Sequence, residues 1–287
     1  MPELPEVEVT RLTVGPHVEH QTVQGFRLGL PLRWPLGVDP QRVAGHAVGA
    51  LQRRGKYLWM PLVGAQTPAV AQGSPGLGGG LLVHLGMSGT LQFHDHRHEP
   101  ALGRHEHAEW RFAHGRLVLN DPRRFGAVVW SPSLQHEPAR RLLARLGKEP
   151  DDPALDGAWF HAQLQGRRTP IKSLLLSGEV VVGAGNIYAC EALFEAGIHP
   201  ELPAARLSRR RADRLLAAVQ HTLRQALALG GSTLRDFKDA HGLSGAFQDQ
   251  ARVYGREGLP CVACGRAVRR VVLGQRSTFF CAGCQRR

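Results

Sequence analysis

The residues best suited to chemistry lie at the two ends of this 287-residue chain. It opens Met1-Pro2-Glu3, a proline followed directly by an acid. A small second residue usually permits removal of the initiator methionine, which would leave a free secondary amine. Within a chain the proline nitrogen has no proton to donate; at a terminus it is a nucleophile. Attack on an aldehyde-level carbon, such as C1′ of a deoxyribose, gives an iminium ion. That cation is an electron sink of the Schiff-base kind. An α-amino group titrates at about 7.7–8.0, so a useful fraction is neutral near pH 7. Glu3 is placed to protonate a leaving oxygen or the sugar ring oxygen. An ordinary Met-Pro terminus has the same residues without the chemistry, so the pair argues only in company.

At the other end stand Cys261, Cys264, Cys281 and Cys284, in the pattern C-x2-C, sixteen residues, C-x2-C. Four thiolates at that spacing suit one zinc ion and leave it no open position, so the expected metal is structural. Two disulfides are the competing reading, disfavoured where the N-terminus has no export signal. The fifth cysteine, Cys190, falls in a helical pattern and reads as a small buried apolar residue. Between the cysteine pairs, 267–273 and 274–280 predict a hairpin carrying Arg269, Arg270 and Arg276.

Charge points to a polyanionic partner. Lys plus Arg is 36 against 24 acids, and from Arg252 onward eight Arg face one acid, +7 of the net +12. Only four of the basic residues are Lys, so each is worth noticing. No apolar run is long enough for a membrane helix, and the expectation is a cytoplasmic protein with no membrane partner. Five histidines cluster at His94, His96, His98, His105 and His107. They span a polar loop without fixed ligand spacing, and His105 reads better as a phosphate contact than as a metal ligand.

The elements that must position these groups follow from periodicity. Segments 53–62, 81–93, 108–113, 116–119 and 126–130 read as strands after one N-terminal helix, which suggests a sandwich or barrel. Residues 132 to about 250 read as helical. One helix follows Ser208 as N-cap, with a stripe at Leu216, Val219, Leu223 and Leu227, and ends at Gly230-Gly231. Another spans about 186–196, preceded by Gly183-Ala184-Gly185-Asn186. That turn could present free N–H groups to a phosphate. Segments 64–80 and 231–250 read as loops, the second as mobile.

Six ordered blocks now coincide: Met1-Pro2-Glu3-Leu4-Pro5-Glu6, Arg53-Arg54-Gly55-Lys56-Tyr57, His84-Leu85-Gly86-Met87-Ser88-Gly89, Asp121-Pro122-Arg123-Arg124-Phe125-Gly126, Val181-Val182-Gly183-Ala184-Gly185-Asn186-Ile187-Tyr188 and Gln275-Arg276-Ser277-Thr278-Phe279-Phe280. With the four cysteines, the chain resembles the bacterial formamidopyrimidine-DNA glycosylases from end to end. The resemblance implies an α+β, multidomain fold: an N-terminal β-sandwich (1–131), a helix–two-turn–helix domain (132–251) with a lesion-recognition loop near 231–247, and a C-terminal zinc-ribbon finger (252–287). It implies removal of oxidised purines (8-oxoguanine, formamidopyrimidines) from double-stranded DNA, then strand cleavage at the abasic site by β,δ-elimination. Carried over, Pro2 is the Schiff-base nucleophile, Glu3 the proton donor, Lys56 the donor for β-elimination, and Arg276 acts at the δ step. His105, Arg123, Arg168 and Asn186 are DNA-binding positions, and Met87, Arg123 and Phe125 are the wedge that fills the gap left by a flipped base. A monomer associated with the nucleoid is expected. Core packing competes as the reading of Met87 and Phe125, and a solvated pair as that of Arg123-Arg124. An endonuclease VIII-type enzyme is the neighbouring alternative. A zinc-ribbon DNA-binding protein without chemistry is the alternative outside enzymes.

Overall fold

Alternation of apolar side chains along the strands builds the first half of the molecule. The structure, a computed structural model, describes residues 2–64, 78–98, 103–232 and 246–287. Most of the two loops expected at 64–80 and 231–247 lies outside the described residues, as does Met1. The chain divides into two compact units. The first takes Pro2, Glu6–Ala144 and Ser232; the second takes Glu3–Pro5, Arg145–Gly231 and Ala246–Arg287.

Helix α1 (Leu4–Val18) is followed by β1 (Gly25–Leu28), β2 (Ala47–Val48), β3 (Gln52–Arg54), β4 (Tyr57–Val63), β5 (Gly80–His84), β6 (Thr90–Asp95), β7 (Glu106–Phe112), β8 (Gly115–Asn120) and β9 (Ala127–Ser131). One sheet has the order β1-β7-β8-β6, and the other β2-β4-β5-β9 with β3 paired to β4. All pairings are antiparallel. Leu58, Met60 and Leu62 of β4, Leu81 and Val83 of β5, and Trp110 and Phe112 of β7 share one core with Val7, Val14 and Val18 of α1. The period-2 rule sends their neighbours Trp59 and Leu82 to the other face, where they pack with Ala139 of α2 (Ala139–Leu143).

Two expected strands are each divided. Segment 53–62 turns back at Gly55, whose φ of +58° admits the reversal, and Lys56 completes that turn. Segment 81–93 breaks at Gly86, with φ +67°.

The second unit contains α3 (Gly157–Leu164), α4 (Ile171–Ser177), α5 (Asn186–Glu195) and α6 (Arg209–Ala228), with the hairpin β10 (Arg269–Leu273) and β11 (Arg276–Phe280). Ser208 stands at the N-cap of α6, but its hydroxyl makes no capping bond. The 3.6-residue period buries Ala212, Leu215, Leu216, Val219, Leu223 and Ala226, so Ala226 takes the place expected of Leu227, which is only half-buried. The helices close over one large apolar cluster. The ribbon's own buried set is small, chiefly Val253, Val268 and two of the paired cysteines, which pack on Cys190 and Phe194 of α5. A module that size needs a metal or a disulfide to hold its shape. Among the described residues no helix is long and apolar enough to cross a membrane.

Candidate functional site

Helix α5 begins at the Gly-rich turn, and its first N–H groups have no partner within the helix. Its N-cap, Gly185, has no side chain to offer. The buried Glu3 carboxylate takes that place. It accepts N–H bonds from Gly185 (2.6 Å), Ile187 (3.0 Å) and Tyr188 (3.4 Å). Leu4 N–H also donates to the Gly183 carbonyl (3.1 Å). Neither Gly183 nor Gly185 has room for a Cβ, because the side chains of Leu4 and Glu3 occupy the space. The turn does hold an anion, but not the expected phosphate: the anion is the protein's own. A buried carboxylate needs such donors, and the positive end of a helix favours it.

One residue into α5, Asn186 joins a second network. Lys172 of α4 is fully buried, and its ammonium donates to Asn186 Oδ1 (2.6 Å), Thr278 Oγ1 (2.7 Å) and the Ser277 carbonyl (3.3 Å). Asn186 Nδ2 donates to the Ser277 carbonyl (2.9 Å) and to Tyr254 Oη (3.4 Å). Burial lowers the Lys172 pKa and raises that of Tyr254. Arg276, half-buried at the start of β11, is tied in through Thr278, whose hydroxyl donates to the Arg276 carbonyl (3.3 Å). Lys172, a residue the motif reading passed over, therefore ties Asn186 to the Ser277-Thr278 segment that follows Arg276. Its only signal in the sequence was the rarity of lysine. Cys190 lies one turn along α5, where burial pushes its thiol up to about 11. Arg168 is exposed between α3 and α4 and joins none of these contacts, whereas Arg167 pairs with Glu179 (3.1 Å).

In the first unit a buried aspartate assembles two exposed turns. Asp121 accepts from Ser88 Oγ (2.7 Å), Gly126 N–H (2.7 Å) and, at 3.3 Å, Arg123 N–H. Asp121 N–H donates to the His105 carbonyl (2.9 Å), which places His105 beside the turn. Gly86 packs so closely on Phe125-Gly126 that a Cβ would collide with backbone. Phe125 is 43% exposed, and the Arg123 guanidinium lies 5.0 Å from its ring centroid. Met87 is half-buried on the adjoining turn. The three expected wedge residues thus share one platform, and core packing does not account for Phe125. His84 steadies it from below: its Nδ1 accepts the Gly86 N–H (3.0 Å), and its ring lies 4.7 Å from that of Tyr57. Burial, then the charges of Lys56 and Arg33, bring the His84 pKa down to about 4. Pro2 is buried in this unit, and Lys56 sits half-buried on the β3–β4 turn.

The four paired cysteines place their sulfurs within 4.8 Å of one another. Cys264 and Cys281 are 3.4 Å apart at sulfur, and Cys261 and Cys284 3.8 Å. Disulfides would need about 2 Å. A zinc tetrahedron with bonds of about 2.3 Å spaces its sulfurs by about 3.8 Å. The donor set fits zinc, and its four thiolates would fill the coordination sphere.

The chain thus combines a β-sandwich, a helical unit with a carboxylate at a helix N-terminus, and a four-cysteine ribbon of the zinc-binding class. Comparison with known proteins divides the chain in the same sequence of parts. Residues 1–128 match the formamidopyrimidine-DNA glycosylase N-terminal domain, 146–238 its H2TH domain, and 258–287 the zinc finger found in FPG and IleRS. Formamidopyrimidine-DNA glycosylases of Acidovorax sp. (strain JS42) and Albidiferax ferrireducens are 51% and 50% identical, over the full length of both chains. The crystal structure of MutM (Fpg) from Thermus thermophilus superposes with a TM-score of 0.84 at 38% identity, covering 99% of this chain and 98% of that one. The Lactococcus lactis Fpg in complex with DNA containing an abasic site gives 0.85 at 28% identity, covering 99% and 100%. The chain belongs to the formamidopyrimidine-DNA glycosylase family. It is a bifunctional DNA glycosylase and abasic-site lyase for oxidised purines, with one structural zinc held by its four paired cysteines.

Proposed function

We propose that the freed Pro2 amine attacks C1′ of an extruded, oxidised purine nucleotide in duplex DNA, and that Glu3 supplies the proton that opens the sugar. The observation that carries this is the Glu3 carboxylate seated on the N–H groups of α5, one residue after Pro2. Those donors stabilise the carboxylate left behind once the proton is delivered. Loss of the base leaves an iminium at C1′, which acidifies the neighbouring C2′ proton and so permits β-elimination. Lys56 is the donor for that step, and Arg276 acts at δ-elimination. Asn186, held by Lys172, and Arg276 grip phosphates beside the lesion, with His105, Arg123 and Arg168 as further DNA contacts. Met87, Arg123 and Phe125 fill the space of the flipped base. Zinc supplies a fixed fold for the ribbon and no chemistry. This division of labour corresponds to domains 1–131, 132–251 and 252–287, with a lesion-recognition loop near 231–247, in a cytoplasmic, nucleoid-associated monomer.

Borohydride trapping tests the mechanism. A covalent adduct should form on 8-oxoguanine duplexes and disappear when the Pro2 amine is blocked, while intact mass shows Met1 absent. An adduct unaffected by the block overturns the assignment of Pro2. Faster excision of thymine glycol than of 8-oxoguanine would favour the endonuclease VIII-type alternative.

A further inference from the structure

The second unit carries a basic cavity that the proposed mechanism does not use. It measures about 530 Å³ and is lined by Arg211 and Arg214 of α6, Glu195 at the end of α5, and Cys284, Arg286 and Arg287 at the end of the ribbon. Asn186 begins α5 and Glu195 ends it. At about 1.5 Å per residue, some 14 Å of helix separates the cavity from the Asn186 network.

The charges in this cavity are poorly balanced. Arg287 pairs with Glu201 (2.6 Å), and Glu195 is taken by Arg252 (2.7 Å) and His221 (2.8 Å). Arg211, Arg214 and Arg286 form no ion pair among the described residues. Among the described residues the Arg211 side chain donates to the Arg286 carbonyl alone (2.8 Å). Burial and the neighbouring charge of Arg214 lower the Arg211 pKa. The carbonyl end of α5 offers roughly half a negative charge, too little for three guanidiniums. Zinc bound by four thiolates is net negative, but among the described residues neither α6 arginine donates to a cysteine sulfur.

Hydrogen bonds hold the backbone wall of the cavity. Arg286 N–H donates to the Gly197 carbonyl (3.1 Å), and the Arg286 carbonyl accepts from His199 N–H (2.9 Å) as well as from Arg211. The Gln285 side chain is buried between Cys281 N–H (2.8 Å) and the Ile198 carbonyl (2.9 Å). A hydrogen-bonded backbone wall that carries guanidiniums with open N–H donors suits an oxyanion, since planar N–H pairs match phosphate oxygens two at a time. The lining between the arginines is Ala196 and Gly197, with no large apolar side chain to seat a protein partner.

We propose that Arg211, Arg214 and Arg286 form a second phosphate-binding site, at the far end of α5 from Asn186. Its phosphate comes from the DNA backbone or from a free polyphosphate. The two sources are separable with the zinc-loaded full chain, comparing wild type with the double variant Arg211→Ala/Arg214→Ala. Arg286→Ser serves as a second variant whose change is confined to an exposed side chain. Calorimetric titration with inorganic tripolyphosphate should show at least a tenfold loss of affinity in either variant. If the site takes backbone phosphates, the slope of log K against log salt for an undamaged duplex should also fall by about one to two units, at about 0.9 per lost contact. An unchanged slope beside the tripolyphosphate loss assigns the site to free polyphosphate. Cleavage of a preformed abasic site at saturating DNA should match wild type, which keeps this result separate from any failure of the Pro2 mechanism. Unchanged tripolyphosphate binding together with an unchanged slope overturns the proposal. So does a fall in zinc content that accounts for the loss, which would make the arginines a counter-charge for the thiolates.

Discussion

Asp121 in the first unit and Glu3 in the second are used alike up to a point. Both carboxylates are almost wholly buried, at 0% and 1% exposed. Among the described residues each gathers at least three donors and thereby fixes a turn. Asp121 draws on Ser88, Arg123 and Gly126, the farthest 33 positions away. Glu3 draws on Gly185, Ile187 and Tyr188, all more than 180 positions away. The difference in use comes from what stands beside each. Asp121 supports an exposed arginine and phenylalanine, whereas Glu3 follows Pro2, whose amine is the proposed nucleophile. On the proposed mechanism, a buried anion on N–H donors becomes a reagent only next to reacting groups.

Isosteric amides separate the two uses. Glu3→Gln keeps the size of the side chain but removes the transferable proton and turns an NH2 toward backbone N–H groups. Excision of 8-oxoguanine should fall by about 10²–10⁴-fold in single-turnover assays, the range expected for loss of a general acid. Urea denaturation should show a cost of about 1–3 kcal/mol for the mismatched donors. Excision within tenfold of wild type would reduce Glu3 to a support of the Asp121 kind.

Asp121→Asn should cost a similar amount of stability, again about 1–3 kcal/mol, because its amide would face the Gly126 N–H. Its effect on rate should be much smaller, about tenfold in excision, or ~1.4 kcal/mol of barrier. Cleavage of a preformed abasic site should change less than excision does, since no base remains to be displaced. An equal loss in the two variants would erase the distinction between support and reagent.

The same contrast explains what could be read in the sequence. The platform of Met87, Arg123 and Phe125 was legible because its partners lie within two short blocks, 84–89 and 121–126, rich in turn-forming residues. The ribbon was legible because metal ligation imposes a rigid spacing on cysteine. The Glu3 seat was only half legible. The Gly-rich turn before α5 announced an anion, but nothing local says that the anion comes from residue 3. Lys172 was missed because its three acceptors, Asn186, Ser277 and Thr278, lie 14 to 106 positions away. The strand boundaries at Gly55 and Gly86 depend on left-handed backbone, which glycine permits without signalling where a turn will fall. Ala226 replaced Leu227 because burial follows the helical period more closely than it follows side-chain size.

The smallest expected effect tests the platform of Met87, Arg123 and Phe125 from its other side. His84 accepts the Gly86 N–H through Nδ1, so its ring is neutral, with its proton on Nε2. Protonation at low pH would set one N–H against another just before Met87. The pKa of about 4 in the folded chain lies below the ordinary 6.5. The unfolded chain therefore binds more protons between those values, and stability rises with pH across that window. The contribution is complete above about pH 6.5 and is lost as pH falls through 4. A shift of this size corresponds at most to about 3 kcal/mol. His84 is partly exposed, and screening by water reduces the expected loss to about 1–2 kcal/mol. His84→Asn retains an acceptor oxygen without a titrating ring. Urea denaturation at pH 7 and pH 4 should therefore show wild type losing about 1 kcal/mol more than the variant. Parallel losses would mean that the Gly86 turn is held without His84, leaving Asp121 to support the wedge alone.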